Sequence, residues 1–249
     1  TLNCNNKYIT GDDIGSDSGI VITARDGVTI RNCIIRDFVS AVDLTQANNS
    51  AIYGNKMTES VHGVKLVSNS NENLIYSNNM TNNDYGAYLT DSYNNTFYDN
   101  FFDNTNNSFD SLGANYWNST YDCTGTSIIG FDCTGGNYWS NYDGMDMNLD
   151  GIGNTFVPYN NSGSISNAYG GGDLLPLTYY KNTYPYYELN YPDYNGTGFV
   201  NSEILNVTVY DDNTALNETP YMNVSFYGAD SYTGDFNLIG ENNSNFVND

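Results

Sequence analysis

The chain has 249 residues, with 7 Lys and Arg against 29 Asp and Glu, a formal charge of −22. That balance excludes nucleic acid and anionic lipid as partners, because too few cations exist to displace counterions from phosphate. No apolar run reaches the ~18 residues of a membrane-spanning helix either.

The chain opens in mid-pattern at Thr1-Leu2-Asn3-Cys4, as a processed or truncated product would. From residue 17 to residue 106 one phrase then recurs about every 22 residues: small residue, apolar-x-apolar, polar turn, apolar-x-x-Asn, apolar. The units begin at Gly19, Ala41, Gly63 and Gly86, at separations of 22, 22 and 23. In register, the columns read Ile20/Val42/Val64/Ala87, Ile22/Leu44/Leu66/Leu89, Ile30/Ile52/Ile75/Phe97, Cys33/Asn55/Asn78/Asn100 and Ile35/Met57/Met80/Phe102. One such unit cannot bury its own apolar face, so the core must form by stacking neighbours. Within each unit the alternation has period two, which predicts strands and not helices. A leucine-rich repeat has a similar period, but it needs a helical stretch and a run of leucines that are absent here. The composition also hints at disorder; columns held through successive units argue against it. The expectation is an all-β chain whose residues 1–180 form a parallel β-helix with a C-terminal cap.

Four cysteines allow three pairings. Cys4 sits in a strand-like run that would precede the rung of Cys33, and adjacent rungs lie about 4.8 Å apart, within disulfide reach. Cys123 and Cys133 flank a short apolar stretch and would close a hairpin. The expected pairs are Cys4–Cys33 and Cys123–Cys133, which implies an oxidising compartment. Eleven Asn-x-Ser/Thr sequons agree with an exported glycoprotein: Asn48, Asn79, Asn94, Asn106, Asn118, Asn160, Asn195, Asn206, Asn217, Asn223 and Asn242. With 42 Asn residues, chance alone also produces many.

After residue 106 the rhythm breaks, but Gly113-Ala114-Asn115-Tyr116-Trp117 is echoed by Gly135-Gly136-Asn137-Tyr138-Trp139. These are read as terminal rungs and cap, with both Trp residues in the cap core. Residues 146–154 follow, Asp146-Met147-Asn148-Leu149-Asp150-Gly151-Ile152-Gly153-Asn154, which match the start of a Ca²⁺ loop. Oxygens at Asp146, Asn148 and Asp150, the Ile152 carbonyl and Asn154 would be ligands, with Gly151 at the sharp turn. Position 12 is Val157, so the usual Glu is missing, and Asp143 or Asp173 would have to complete the shell. Such an ion would be structural; the alternative is a plain Asx-rich turn. Residues 181–202 read as a linker punctuated by Pro185, Pro192 and Gly196, and residues 203–249 as strands at 203–210, 221–227 and 236–240.

Several of these motifs carry a family resemblance. Asn94-Asn95-Thr96-Phe97-Tyr98-Asp99-Asn100 and its sister units resemble the right-handed β-helix repeats of carbohydrate-binding and sugar-hydrolase domains, including NosD-like proteins. Gly136-Asn137-Tyr138-Trp139-Ser140-Asn141-Tyr142, residues 146–154 and Gly172-Asp173-Leu174-Leu175-Pro176-Leu177 resemble the end of NosD-like β-helices in archaeal cell-surface proteins. The two resemblances cover roughly residues 1–180. They imply a right-handed β-helix and an exported, surface-associated protein, without implying one activity. Leu205-Asn206-Val207-Thr208-Val209-Tyr210 and Met222-Asn223-Val224-Ser225-Phe226-Tyr227 resemble the opening strands of an immunoglobulin-like module. A sandwich needs about seven strands and three or so are present here, so either the remainder is cut off or unseen, or another subunit supplies it.

Outward positions supply the binding candidates. Tyr53, Tyr76 and Tyr98 fall in one column behind Arg31, an aromatic strip for sugar rings or a neighbouring subunit; plain cross-rung pairing is the alternative. Asp43 and Lys65 face each other across adjacent rungs as a surface ion pair. His62 is the single histidine, and copper or zinc requires several soft or imidazole ligands. A lyase would need clustered Lys or Arg with Ca²⁺, and an inverting hydrolase opposed carboxyls about 6.5–9.5 Å apart. The aligned columns offer neither, and Asp84, Asp91, Asp99, Asp103 and Asp110 fall mainly in turns. The preferred reading is an extracellular structural protein that polymerises with itself by strand addition, ahead of a carbohydrate-binding adhesin and an enzyme.

Overall fold

A computed structural model of the chain describes residues 1–160, 165, 168–179, 186–190 and 206–210. Contacts divide the chain into Thr1–Asn182 and Thr183–Asp249.

The first unit is a parallel β-solenoid with three sheet faces. One face stacks β2 (Ser18–Thr23), β4 (Ser40–Thr45), β7 (His62–Val67), β10 (Tyr85–Leu89) and β13 (Asn106–Asp110). The other two diverge from the long strand β3 (Thr29–Arg36), against which β1 (Leu2–Thr10) also pairs. Its first half continues into β5 (Ala51–Tyr53), β8 (Leu74–Tyr76) and β11 (Thr96–Tyr98). Its second half continues into β6 (Lys56–Thr58), β9 (Asn79–Thr81), β12 (Phe101–Asp103) and β14 (Tyr138–Trp139). All of these pairings are parallel, and they follow the predicted columns: Ile30 opposes Ile52, Ile52 opposes Ile75, and Ile75 opposes Phe97. Val42, Leu44, Ile52, Met57, Val64, Leu66, Ile75 and Met80 are all fully buried. The small residue that opens each unit has a steric cause. A Cβ at Gly63 would stand 2.6 Å from the Gly86 carbonyl oxygen, and one at Gly19 2.6 Å from Ile35 Cγ2.

Polar side chains hold the corners. Along one corner the backbone N–H groups of Cys33, Asn55, Asn78 and Asn100 donate to the Oδ1 atoms of Asn55, Asn78, Asn100 and Asn137 at 3.0 to 3.1 Å. The residue before each ladder position adopts left-handed backbone: Asn32, Gly54, Ser77 and Asp99 have φ of 54°, 63°, 50° and 53°. Sequence reading found only this corner. A second ladder runs from Ser50 through Asn73 and Asn95 to Asn115. A third runs from Ser60 through Asn83 and Asn104 to Asn107. Buried amides need partners, and each ladder supplies donor and acceptor from the same residue type.

The two Asn-Tyr-Trp echoes are not successive rungs. Asn115 ends the second ladder and places Trp117 on Phe97, with ring centroids 4.5 Å apart. Asn137 ends the first ladder and places Trp139 on Phe102 at 4.7 Å. Both Trp residues are fully buried. Two carboxylates close the ladders. Asp173 Oδ2 accepts the Asn137 N–H at 2.7 Å and the Trp139 indole N–H at 2.9 Å. Asp110 Oδ2 accepts from the Asn115 carboxamide at 3.0 Å.

Both expected disulfides are present, Cys4–Cys33 and Cys123–Cys133. The second closes a hairpin in which Asp122 and Thr134 exchange backbone bonds at 2.8 and 2.9 Å. Asp99 pins this excursion to the solenoid by accepting the Ile128 N–H at 2.7 Å.

In the second unit β15 (Tyr186–Asn190) pairs antiparallel with β16 (Asn206–Tyr210). β16 falls within the expected strand 203–210, whereas β15 lies in the segment read as linker. Its sequence, Tyr-Tyr-Glu-Leu-Asn, is rich in strand-favouring aromatic residues between Pro185 and Pro192. The strands expected at 221–227 and 236–240, and with them most of the immunoglobulin-like segment, lie outside the described residues.

Candidate functional site

The tyrosine column is a continuous stack. Tyr53 and Tyr76 have ring centroids 4.8 Å apart at 15°, and Tyr76 and Tyr98 are 5.2 Å apart at 7°. Strands β5, β8 and β11 carry the three residues at equivalent outward positions, so the rung spacing sets the stacking distance. The rings therefore cover one another's faces and turn their rims and hydroxyls outward. Arg31 closes the near end, donating from Nη1 to the Tyr53 hydroxyl at 3.4 Å. Partial burial, then the neighbouring phenol, pushes the Tyr76 and Tyr98 pKa values above the usual range. Both therefore remain neutral hydroxyls at physiological pH. A sugar-stacking platform requires free ring faces, and this column offers hydroxyl edges instead.

A second aromatic group was not legible as a column. On the face of β7, β10 and β13, Tyr88 stacks on Phe109 at 5.0 Å, and His62 packs on Tyr88 at 4.7 Å. His62 Nδ1 lies 3.2 Å from Ser40 Oγ. Burial, then the Lys65 charge, lowers the His62 pKa. The spacing suits a base and a hydroxyl nucleophile, but Ser40 is fully buried and no substrate atom can reach it. The pair is a cross-rung link. Beside it the expected Lys65–Asp43 ion pair forms at 2.9 Å. Asp99, in a turn, and Asp110, which ends strand β13 instead of lying in a turn, are both buried and hydrogen-bonded within the fold.

Residues 146–154 fold into a loop closed by its own amides. Asp146 is fully buried; Oδ1 accepts N–H groups from Asn148, Leu149 and Asp150, and Oδ2 accepts that of Gly151 at 2.7 Å. Asp150 Oδ2 receives the Asn148 carboxamide and the Tyr121 hydroxyl, and Asn154 Oδ1 receives the Met147 N–H. Asp173 is committed to Asn137 and Trp139, and Asp143 is exposed. Among the described residues, no three His, Cys, Asp or Glu side chains converge on a point suited to a metal ion.

The described sequons differ in the freedom of their acceptor amide. Asn160 is exposed, and Asn106 is exposed with its carboxamide donating to the Asp84 carbonyl at 3.3 Å. Asn48 donates to Asp26 and accepts from Asn71, and Asn118 is bonded to Ser119 and Leu174. Several sequons are by-products of the corners, since Asn94 and Asn106 immediately precede ladder residues Asn95 and Asn107. Asn195, Asn217, Asn223 and Asn242 lie outside the described residues, and of Asn206 only the backbone strand is described.

The stacked rungs and their spacing agree with one comparison: the family described as Periplasmic copper-binding protein (NosD) matches residues 2–144. The chain belongs to the NosD family. Neither a curated protein nor a solved structure matches it. The family description names copper, so the donors can be tested against that metal. Copper favours thiolate, thioether and imidazole ligands. Here all four cysteines are in disulfides, and Met57 and Met80 are fully buried core residues opposed across adjacent rungs, while Met147 is exposed on the 146–154 loop. His62 is the single imidazole of the whole sequence and faces Ser40. These residues do not make a copper site of the usual kind. No helix among the described residues is long and apolar enough to cross a membrane.

Proposed function

We propose that this chain is a structural protein outside the cytoplasm, a self-assembling subunit of a surface layer, sheath or filament of the archaeal type that its cap motifs resemble. The observation that carries the reading is the use of the interior polar groups. Three corner ladders, closed by Asp173, Asp110 and Asn141, commit them to holding one rung on the next. Two disulfides add cross-links suited to an oxidising compartment. Such a rod resists unfolding and proteolysis, which a building block requires.

Assembly is assigned to residues 203–249. Within that segment β16 is paired, among the described residues, with β15 just upstream; a sheet edge left open favours strand addition, and a head-to-tail contact that does not close propagates. The same reading assigns a structural Ca²⁺ to the 146–154 loop, where Asn148 is exposed and the ion would have to displace the N–H and hydroxyl donors that now hold the Asp146 and Asp150 carboxylates. The test is electron microscopy and light scattering of the full chain and of a variant lacking 181–249, each with Ca²⁺ and with chelator. Polymers from the full chain and monomers from the truncation are expected. A full chain that stays monomeric in every condition, or a truncation that still polymerises, overturns the reading. The adhesin reading is favoured by the tyrosine column alone.

A further inference from the structure

We propose that the tyrosine column is a binding lane for an extended, neutral polysaccharide lying along the solenoid axis and recognised through phenol hydroxyls. This deepens the adhesin reading and is independent of assembly. Tyr53, Tyr76 and Tyr98 present their hydroxyls one per rung, at ring spacings of 4.8 and 5.2 Å. An extended glycan with equatorial linkages advances by close to one rung per sugar, so one sugar stands opposite each phenol, with successive sugars turning alternate edges toward the column. A coiled glucan does not keep that step. The Tyr53 oxygen accepts from Arg31, leaving its own proton to donate. The Tyr76 and Tyr98 hydroxyls have no protein partner among the described residues and stay protonated at neutral pH.

The neighbouring outward column completes the lane. Thr29, Ala51, Leu74 and Thr96 run parallel to it two residues away on the same strands, with Leu74 exposed beside Tyr76. A line of hydroxyls next to a line holding small and apolar groups suits a sugar chain, which carries hydroxyls at its rim and C–H groups on its faces. Charge selects the class. A chain of net charge −22 repels polyuronates and nucleic acids. Covered ring faces offer little to a lipid, and a peptide strand would seek an open edge, not a sheet face.

The test is affinity electrophoresis of the full chain through gels containing cellulose-type or chitin-type soluble glycans, with amylose-type, polyuronate and glycan-free gels alongside. Retardation by at least one extended neutral glycan and by neither comparison polymer is expected. The combined variant Tyr53→Phe, Tyr76→Phe, Tyr98→Phe keeps the stack and removes the hydroxyls. It should bind about tenfold or more weakly, from the loss of two or three hydrogen bonds, with an unchanged melting temperature. No retardation on either extended glycan, stronger retention on the polyuronate, or equal binding by the Phe variant overturns the proposal. Light scattering of the same samples reads assembly separately, so either idea can fail alone.

Discussion

Replacing Asn100 by Ala removes one rung of the best-formed ladder without touching the apolar columns. Its side chain makes five hydrogen bonds: it donates to the carbonyls of Ile75 and Tyr98 and to Asn137 Oδ1, and it accepts from the N–H and the carboxamide of Asn78. Both Asn78 and Asn137 are fully buried, so water cannot replace what is lost. Each orphaned buried group costs about 1–3 kcal/mol, and non-additivity within one network caps a sum at about 3–5 kcal/mol. That is a large fraction of the ~5–15 kcal/mol stability of a domain. Asn100→Asp is the sharper variant because it preserves shape. It turns an oxygen toward three acceptors, so it should match or exceed the Ala variant at neutral pH and recover part of the loss in mild acid. Urea unfolding of the non-reduced proteins followed by circular dichroism measures both. A change below about 0.5 kcal/mol in either variant would refute the claim that the ladders hold the corners.

Three other outcomes are expected. Asp173 is fully buried, and desolvation raises its pKa to about 7, against the opposing pull of its N–H donors. Between its unfolded pKa near 4 and that value the native state binds the extra proton, so this group's contribution to stability falls as pH rises and returns on acidification. The difference in unfolding free energy between wild type and Asp173→Asn, measured across pH 4 to 8, should carry that slope; a flat difference would show that the carboxyl does not titrate there. Gly63→Val should lower the melting temperature markedly, because even the first added carbon lies 2.6 Å from the Gly86 oxygen, while Val67→Ala on the same strand should change it little. Reducing Cys4–Cys33, which spans 29 residues, should destabilise by about 2–4 kcal/mol and more than opening Cys123–Cys133, which spans 10. Single Cys-pair replacements by Ser, compared in urea, would reveal the reverse order if chain entropy is not the cause.

The apolar columns and the Lys65–Asp43 pair were legible because each repeats, or pairs, at the 22-residue spacing. The disulfides were legible on other grounds, Cys4 from its place in a strand-like run ahead of the Cys33 rung and Cys123 with Cys133 from the short apolar stretch between them. The second and third ladders follow the same spacing but were hidden by mixed identity: Ser50 gives way to Asn73, and Ser60 to Asn83. A step of five residues within one rung, from Asn73 to Asn78 to Asn83, was the available signal. The Asn-Tyr-Trp echo was visible, yet sequence could not tell that its copies end two different corners of one layer. For the tyrosines, spacing fixes adjacency and not the ring angle, which decides whether faces or hydroxyls meet a ligand. In the 146–154 loop the oxygens required by Ca²⁺ are the same ones that backbone amides seek, and the pattern alone does not separate the two uses.

The ladders also bear on how such a molecule changes in length. Each coil offers the next a socket of the same shape and the same donor and acceptor order, so a 22-residue segment copied or deleted at a corner leaves its neighbours matched. Asp173 and the two Trp residues meet only the last coil, so they must travel with the terminus. Diversification by tandem duplication is therefore open in the middle of the rod and closed at its capped end.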